Sequence, residues 1–446
     1  MQNILILGGG FAGIATALRL ERRLRTDEAT ITLVSRDNFT LFTPMLPEVS
    51  SGGIEQRHVV TPVRAQLRRS SFVLGEVTAI DLAAKSVSVM HTINGSRLDL
   101  SYDHLVLALG SVTSTFNLPG VAERSLPLKT LEDAEVLRNR IIATLELADI
   151  EKDPTVRKRI LTYVIVGGGY TGCEAAGELV DFFRSISRFY KTVKLSEIRI
   201  ILVEGGKALL PDLAPGMGKY TAGNLAERKV EIIIGDGVAS LNDESIVLAS
   251  GRTIPTATCV WSAGVRPAPI LKTLPCEHAR NGGLFVERDM SLTGYKNVWA
   301  IGDCAWIPTG EPDKWYPPTA QHAIREGPVL GDNIVAAVRG EPTKPFVFTA
   351  LGTMASLGAR RGVAAFPGGF ILTGFLAWLL WRTYYLARLP GLDRKLRVAF
   401  DWTLGLFFSR DIAELRVFTE RSHVMTNRDA GMPPQPVAPM DTVEKP

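Results

Sequence analysis

The stretch ILILGGGFAG at 4–13 returns as YVIVGGGYTG at 163–172. Each copy is a strand-length apolar run, then Gly-x-Gly-x-x-Gly, then a helical pattern: IATALRLERRLR after the first, CEAAGELVDFFRSI after the second. A second apolar run follows each helix, ATITLVSR at 29–36 and IRIILVEGG at 198–206. Strand, glycine turn, helix and strand make a β-α-β dinucleotide unit, and the duplication predicts two of them. The spacing gives each glycine a task. Gly8 and Gly167 permit the tight turn, Gly10 and Gly169 let the backbone approach a pyrophosphate, and Gly13 and Gly172 let helix and strand pack closely. The helix N-terminus behind each turn faces the phosphates with unpaired N–H groups and the positive end of a dipole.

An acid at the end of the second strand of such a unit binds the adenosine ribose. In the second unit it is Glu204, which favours NADH because a carboxylate repels a 2′-phosphate; Lys207 nearby opposes this. In the first unit the position is Ser35, followed by Arg36. Two readings stay open there: the hydroxyl reaches the ribose and Arg36 stacks on adenine, or Ser35 plays no part.

The chain is expected to leave the first sheet and come back to it. Residues 72–111 alternate apolar and polar residues around Asn94-Gly95, which predicts a meander, and HLVLALG then reads as a strand of the first sheet. The stretch from VEIIIGDG to WSAG repeats the scheme after the second unit. NVWAIGDCA (297–305) is a strand running into Gly302-Asp303, where the glycine admits a cofactor and the carboxylate can bind a flavin's ribityl or ribose hydroxyls. The predicted fold is α/β, with two Rossmann-like domains, the second inserted in the first. The first covers 1–118 and 280–340 and the second 119–279; a C-terminal helical membrane-binding or dimerisation segment takes 341–425, and a disordered tail takes 426–446.

Several function classes are excluded. A net charge of +4 over 446 residues suggests no nucleic-acid partner. The four cysteines, Cys173, Cys259, Cys276 and Cys304, form neither a C-x-x-C pair nor a metal ligand set, so no metal and no dithiol chemistry is expected. MQNILILGGG carries no signal-peptide pattern. No set of spans with buried charges suggests proton pumping.

The C-terminal segment holds an uncharged run, 362–381, near the length of a membrane span. Phe366-Pro367-Gly368-Gly369 interrupts it, leaving Phe370 to Trp381 as a short apolar helix, and VAFDWTLGLFF (398–408) as a second. Arg382, Arg388, Arg394, Lys395 and Arg397 follow, among Tyr384, Tyr385 and leucines. Aromatic rings and arginines together favour the headgroup level of a bilayer, so the segment is expected to lie on a membrane.

With these blocks in place, the chain resembles the two-dinucleotide-domain flavoprotein reductases, through GGGFAG, YDHLVLALGS, GGGYTG, WSAGVRP and NVWAIGDCA. More narrowly, it resembles the type II NADH:quinone oxidoreductases, through NFTLFTPMLPEVSSG (38–52), PPTAQHAIREG (317–327), LGTMASLGARRGVAAF (351–366) and GFLAWLLWRTYYL (374–386). The resemblance implies FAD in the first domain, NADH as substrate in the second, and a quinone on the flavin's other side. It implies FAD contacts from Gly8, Gly10, Phe11, Ala12, Gly13, Ser35, Arg36, Pro44, Ala108, Gly110, Gly302, Asp303, Ala320 and Gln321. For NADH it implies Gly167, Gly169, Tyr170, Thr171, Gly172, Glu204 and Gly264. It makes Glu178 the acid near the flavin–nicotinamide junction and puts Gln321 at the quinone end of the flavin, both as catalytic residues. Where the family motif continues to a second glutamine, this chain has Arg325. It implies non-electrogenic two-electron transfer, a homodimer, and a peripheral location on the cytoplasmic face of the cell membrane. Two rivals remain: a soluble FAD reductase of a protein acceptor, and a redox-sensing NADH-binding flavoprotein.

Overall fold

The structure, a computed structural model, describes residues 1–211, 216–349 and 351–415. The expected tail, 426–446, and residues 416–425 of the expected C-terminal segment lie outside the described residues.

The apolar runs that precede the glycine turns have no polar face to offer water. Thr162–Val166 is buried throughout, and so is the second half of Gln2–Leu7. Strands covered on both faces belong in parallel sheets, and two such sheets form. The first runs Val298–Ala300, His104–Leu107, Gln2–Leu7, Ala29–Ser35, Ser71–Asp81, Ser86–His91, Arg97–Ser101. Its pairings are parallel as far as Ser71–Asp81, after which the last two strands turn back antiparallel as the expected meander. The second is parallel throughout, in the order Leu126–Pro127, Thr258–Trp261, Thr162–Val166, Arg199–Glu204, Val230–Ile234. Its residues fall in sequence between His104–Leu107 and Val298–Ala300, so the second fold is inserted in the first.

Helix Phe11–Arg23 and helix Ala320–Arg339 lie against each other because two glycines allow it. A Cβ on Gly327 would stand 2.5 Å from that of Ala15, and one on Gly331 would stand 2.7 Å from that of Arg19. Arg19 closes the contact with a two-pronged ion pair to Asp332, at 2.9 and 2.7 Å.

The C-terminal segment begins as a sheet. Thr353–Ser356, Gly362–Ala365 and Ile371–Thr373 pair antiparallel. Phe366-Pro367-Gly368-Gly369 is the hairpin turn, with φ of +88° and +84° at its glycines. The uncharged run therefore changes direction inside itself. Residues 371–373, expected as helix, are strand, and the helix is Gly374–Arg388. The second helix is Leu392–Leu404 rather than 398–408. Gly391 at φ +85° separates the two helices, and the charges of 393–397 fit the flanks of an amphipathic helix, so they do not delay its start. Among the described residues no helix is long and apolar enough to cross a membrane.

Candidate active site at the junction of the two folds

The two glycine turns are stereochemical copies. Gly8 (φ +118°) and Gly167 (φ +107°) hold a conformation that disfavours side chains; a Cβ would reach Ala108 O at 2.0 Å in one and Ala263 N at 2.8 Å in the other. A Cβ on Gly13 would fall 2.0 Å from Gly8 O, and one on Gly172 1.8 Å from Gly167 O. Gly10 and Gly169 differ from these. Among the described residues nothing lies within 4 Å of the Cβ either would carry. Both are N-cap residues with no side chain capping the helix and no acid in its first turn, so the positive end of each helix dipole faces the turn with no side-chain anion of its own. The arrangement fits two dinucleotide pyrophosphates. Phe11, Ala12, Tyr170 and Thr171 open the two helices beside them.

The two positions expected at the ribose have different surroundings. Glu204 folds back onto its own turn, accepting from Gly168 N–H at 2.6 Å and Gly206 N–H at 2.5 Å. Ser35 takes the matching place, its Oγ 2.7 Å from where a Cβ on Gly9 would be. Arg36 is exposed and pairs with Asp37 at 3.6 Å.

In each sheet the strand order reverses beside the glycine turn, and a loop with a left-handed glycine follows the next strand. These are Ala108–Gly110 after His104–Leu107, and 262–264 after Thr258–Trp261. The chain leaves both loops as the antiparallel pair Ser111–Thr113 and Val265–Pro267, which joins the two folds. Asp303 points at this linker. Ser111 Oγ–H donates to its Oδ2 at 2.5 Å, and Lys129 Nζ lies 2.8 Å from Ser111 Oγ and 3.4 Å from Asp303. Gly302 (φ +70°) donates its N–H to Glu326 Oε2 at 2.7 Å. Burial pushes the Glu326 carboxyl up to about 7.

Ala320 and Gln321 form the first turn of helix Ala320–Arg339. The Gln321 amide is held at both ends by the C-terminal segment: Leu351 N–H donates to Oε1 and Nε2–H donates to Gly352 O, each at 3.1 Å. Arg325 lies over the Phe348 ring at 4.4 Å and donates to Gln321 O at 2.7 Å.

Helix Tyr170–Ile186 explains Glu178. Glu174, Glu178 and Asp181, one turn apart, form an acidic face that is buried or nearly so, and the C-terminal segment is stitched to it. Ser356 N–H and Trp381 Nε1–H donate to Glu174 Oε1, at 2.9 and 3.1 Å. Arg410 Nη2 meets Glu178 Oε2 at 2.7 Å, and Ser51 Oγ–H donates to the same oxygen at 2.9 Å. Asp181 pairs with buried Arg228 at 2.7 Å. Glu48, on the short helix after Pro44, faces the same region. It lies 3.3 Å from Arg382 and accepts from Trp402 Nε1–H at 2.7 Å, while Arg382 is sandwiched 4.2 and 4.4 Å from the Trp378 and Trp402 rings.

Burial raises the Glu174 carboxyl to about 8 and moves Glu48 upward too, with each reinforced by neighbouring acids. Glu48, Glu174 and Glu326 were not singled out in the sequence. The spacing of four between Glu174 and Glu178 was a visible signal for Glu174 alone.

Aromatic rings lead from the first turn into the C-terminal helices. Phe11 meets Phe42 edge-on at 5.7 Å, Phe42 meets Tyr385 at 6.0 Å, and Tyr385 meets Trp381 at 4.8 Å. Among the described residues, nothing covers the opposite side of these helices. Phe375, Leu376 and Leu379 are exposed, as are Leu392, Leu396, Phe400 and Leu404, one stripe at a spacing of four. Leu392 is 72% and Phe407 77% exposed.

All four cysteines are free, and burial pushes the Cys259 and Cys304 thiols up to about 12 and Cys173 higher, as unreactive thiols would be.

The model of the pyridine nucleotide-disulphide oxidoreductase family matches residues 2–327, and that of the NDH2 C-terminal domain matches 351–411. A probable NADH dehydrogenase of Dictyostelium discoideum is 33% identical, over 92% of this chain and 91% of that protein. A type II NADH:quinone oxidoreductase of Mycobacterium tuberculosis is 31% identical, over 94% and 90%. The structure of NDH2 from Plasmodium falciparum in complex with NADH superposes with a TM-score of 0.85, covering 92% of this chain and 99% of that one; at 22% identity the likeness is one of fold.

Proposed function

Because the chain belongs to the type II NADH:quinone oxidoreductase family, we propose that it oxidises NADH and reduces a membrane quinone by two electrons, with FAD bound in the first fold and without pumping protons. The observation that carries the reading is the aromatic row from Phe11 through Phe42 and Tyr385 to Trp381, which joins the first glycine turn to the helices bearing the exposed apolar stripe. A water-insoluble acceptor needs such a route from lipid, and a soluble protein acceptor does not.

FAD, when bound, supplies hydride acceptance and two-electron delivery. The chain's own groups bind, orient and exclude water. The turns at Gly8–Gly13 and Gly167–Gly172 take the two pyrophosphates. Ser35, Arg36, Pro44, Ala108, Gly110, Gly302 and Asp303 line the first site, and Tyr170, Thr171, Glu204 and Gly264 the second. Lys129 and Ser111 fix the Asp303 carboxylate for ribityl or ribose hydroxyls. Ala320 and Gln321 stand on the acceptor side, where Leu351 and Gly352 fix the amide. Glu178 positions Arg410 and Ser51 at the cover of the junction. Glu174 takes both of its N–H partners at Oε1, which leaves Oε2 to hold a proton at neutral pH.

The apolar stripe, with Arg388 and Arg397 exposed beside it, lies on the bilayer as a peripheral contact, on the cytoplasmic face; a homodimer belongs to the same reading. The test is turnover by the flavin-loaded protein with NADH and a panel of short-chain quinones, followed by flotation on lipid vesicles. One quinone reduced per NADH, and flotation with the vesicles, is expected. If NADH removes the flavin's absorbance and no quinone restores it, the reading fails.

A further inference from the structure

Phe116 combines three features that core packing does not explain. The residue is 61% exposed. Its backbone is left-handed at φ +51°, and so is that of Asn117 at φ +56°, although neither residue is glycine. Its Cζ lies 2.9 Å from where a Cβ on Gly264 would stand, so a side chain at 264 would push the ring off this loop. A side chain held in unfavourable backbone to keep an apolar ring in water points to a ligand-side role.

The loop that carries the ring is also held in place. Ser114 N–H donates to Gly264 O at 3.1 Å, and the indole N–H of buried Trp261 donates to Ser114 O at 2.8 Å. Phe116 and Trp261 stand 6.5 Å apart, ring to ring. The tip of the Phe116 ring is therefore spent on loop 262–264, while the rest of the residue stays largely exposed.

The topology says what the open face meets. The strand order of the second sheet reverses between Thr162–Val166 and Thr258–Trp261, and a dinucleotide lies across that crevice. Glu204 ends the strand on the adenosine side, so the other half of the ligand runs over the loop after Thr258–Trp261, beneath Phe116. The linker pair Ser111–Thr113 and Val265–Pro267 leads from that loop to the first fold, so the same place faces the flavin site.

We propose that Phe116 is the wall of the nicotinamide end of the NADH site, its open face packing on the nicotinamide ring and orienting that half of the substrate. The proposal rests on the NADH reading of the second fold and deepens it.

Flavin-loaded wild type, Phe116→Ala and Phe116→Tyr are titrated calorimetrically with NAD⁺ and with ADP-ribose, which lacks the nicotinamide. Phe116→Ala is expected to weaken NAD⁺ about tenfold and ADP-ribose less than about twofold, a loss in line with one aromatic contact. Phe116→Tyr keeps the ring and is expected to bind both within about twofold of wild type. Equal weakening of both ligands, no weakening of NAD⁺, or loss of flavin from Phe116→Ala overturns the proposal. Wild type that binds neither ligand overturns the NADH reading itself, and the proposal with it.

Discussion

Gly169→Ala and Gly172→Ala, three residues apart, should fail in opposite ways. At Gly169 the new methyl meets nothing within 4 Å, and φ is −74°, so the protein itself accepts it. Reduced freedom of the unfolded chain contributes about 0.4–1 kcal/mol. Alanine is a poorer N-cap than glycine by roughly 0.5–1 kcal/mol, and the two terms nearly cancel. The melting temperature should stay within about 2 °C of wild type. The space the methyl takes is the pyrophosphate's approach, so KM for NADH should rise at least about tenfold, or ~1.4 kcal/mol. At Gly172 the methyl would stand 1.8 Å from Gly167 O and 2.8 Å from Ser262 Oγ, so helix and strand must separate. A loss of about 3 kcal/mol is expected, at the upper end of overpacking costs. Thermal melts and NADH saturation curves at fixed quinone on both flavin-loaded variants decide the matter. A Gly169→Ala enzyme with unchanged KM, or two variants with equal melting losses, would refute the division of labour among the glycines.

Glu204→Gln should raise KM for NADH and improve NADPH use, because it removes the charge that opposes a 2′-phosphate while keeping one acceptor for Gly168 N–H; an unchanged ratio of the two efficiencies would count against the assignment. The Glu174 carboxyl sits at about 8 in the folded chain against an unfolded value of 4.5, so its contribution to stability is present below 4.5 and is lost as pH rises through about 8. Melting temperature should therefore fall between pH 5 and 8 in wild type and fall less in Glu174→Gln; identical slopes would remove Glu174 as the cause. Arg410→Met leaves buried Glu178 without its cation and should cost about 3 kcal/mol, with part recovered in Arg410→Met/Glu178→Gln, as read from denaturant midpoints. Leu396→Glu with Phe400→Glu should abolish vesicle flotation while short-chain quinone turnover persists; flotation at the wild-type level would place the lipid contact elsewhere.

The order of elements and the glycine tasks were legible in the sequence because they rest on short-range stereochemistry. Whether Gly8 can turn, and whether Gly13 can meet Gly8 O, is decided within one strand, turn and helix. The same holds for the turn at 366–369, where a proline followed directly by two left-handed glycines stops a helix from forming across it. The acids were another matter. Glu174 finds Ser356 and Trp381, Glu178 finds Arg410, and Glu48 finds Arg382 and Trp402, all across more than a hundred residues of chain. The helical pattern marks those acids as neighbours along a helix and leaves solvent as an equally good partner. Packing of the C-terminal segment over the junction removed the solvent, raised Glu174 and Glu48, and left the apolar stripe outside. The sequence alone determined which folds this chain contains. What covers the space between them depended on tertiary structure, because burial is a property of surfaces that meet only after folding.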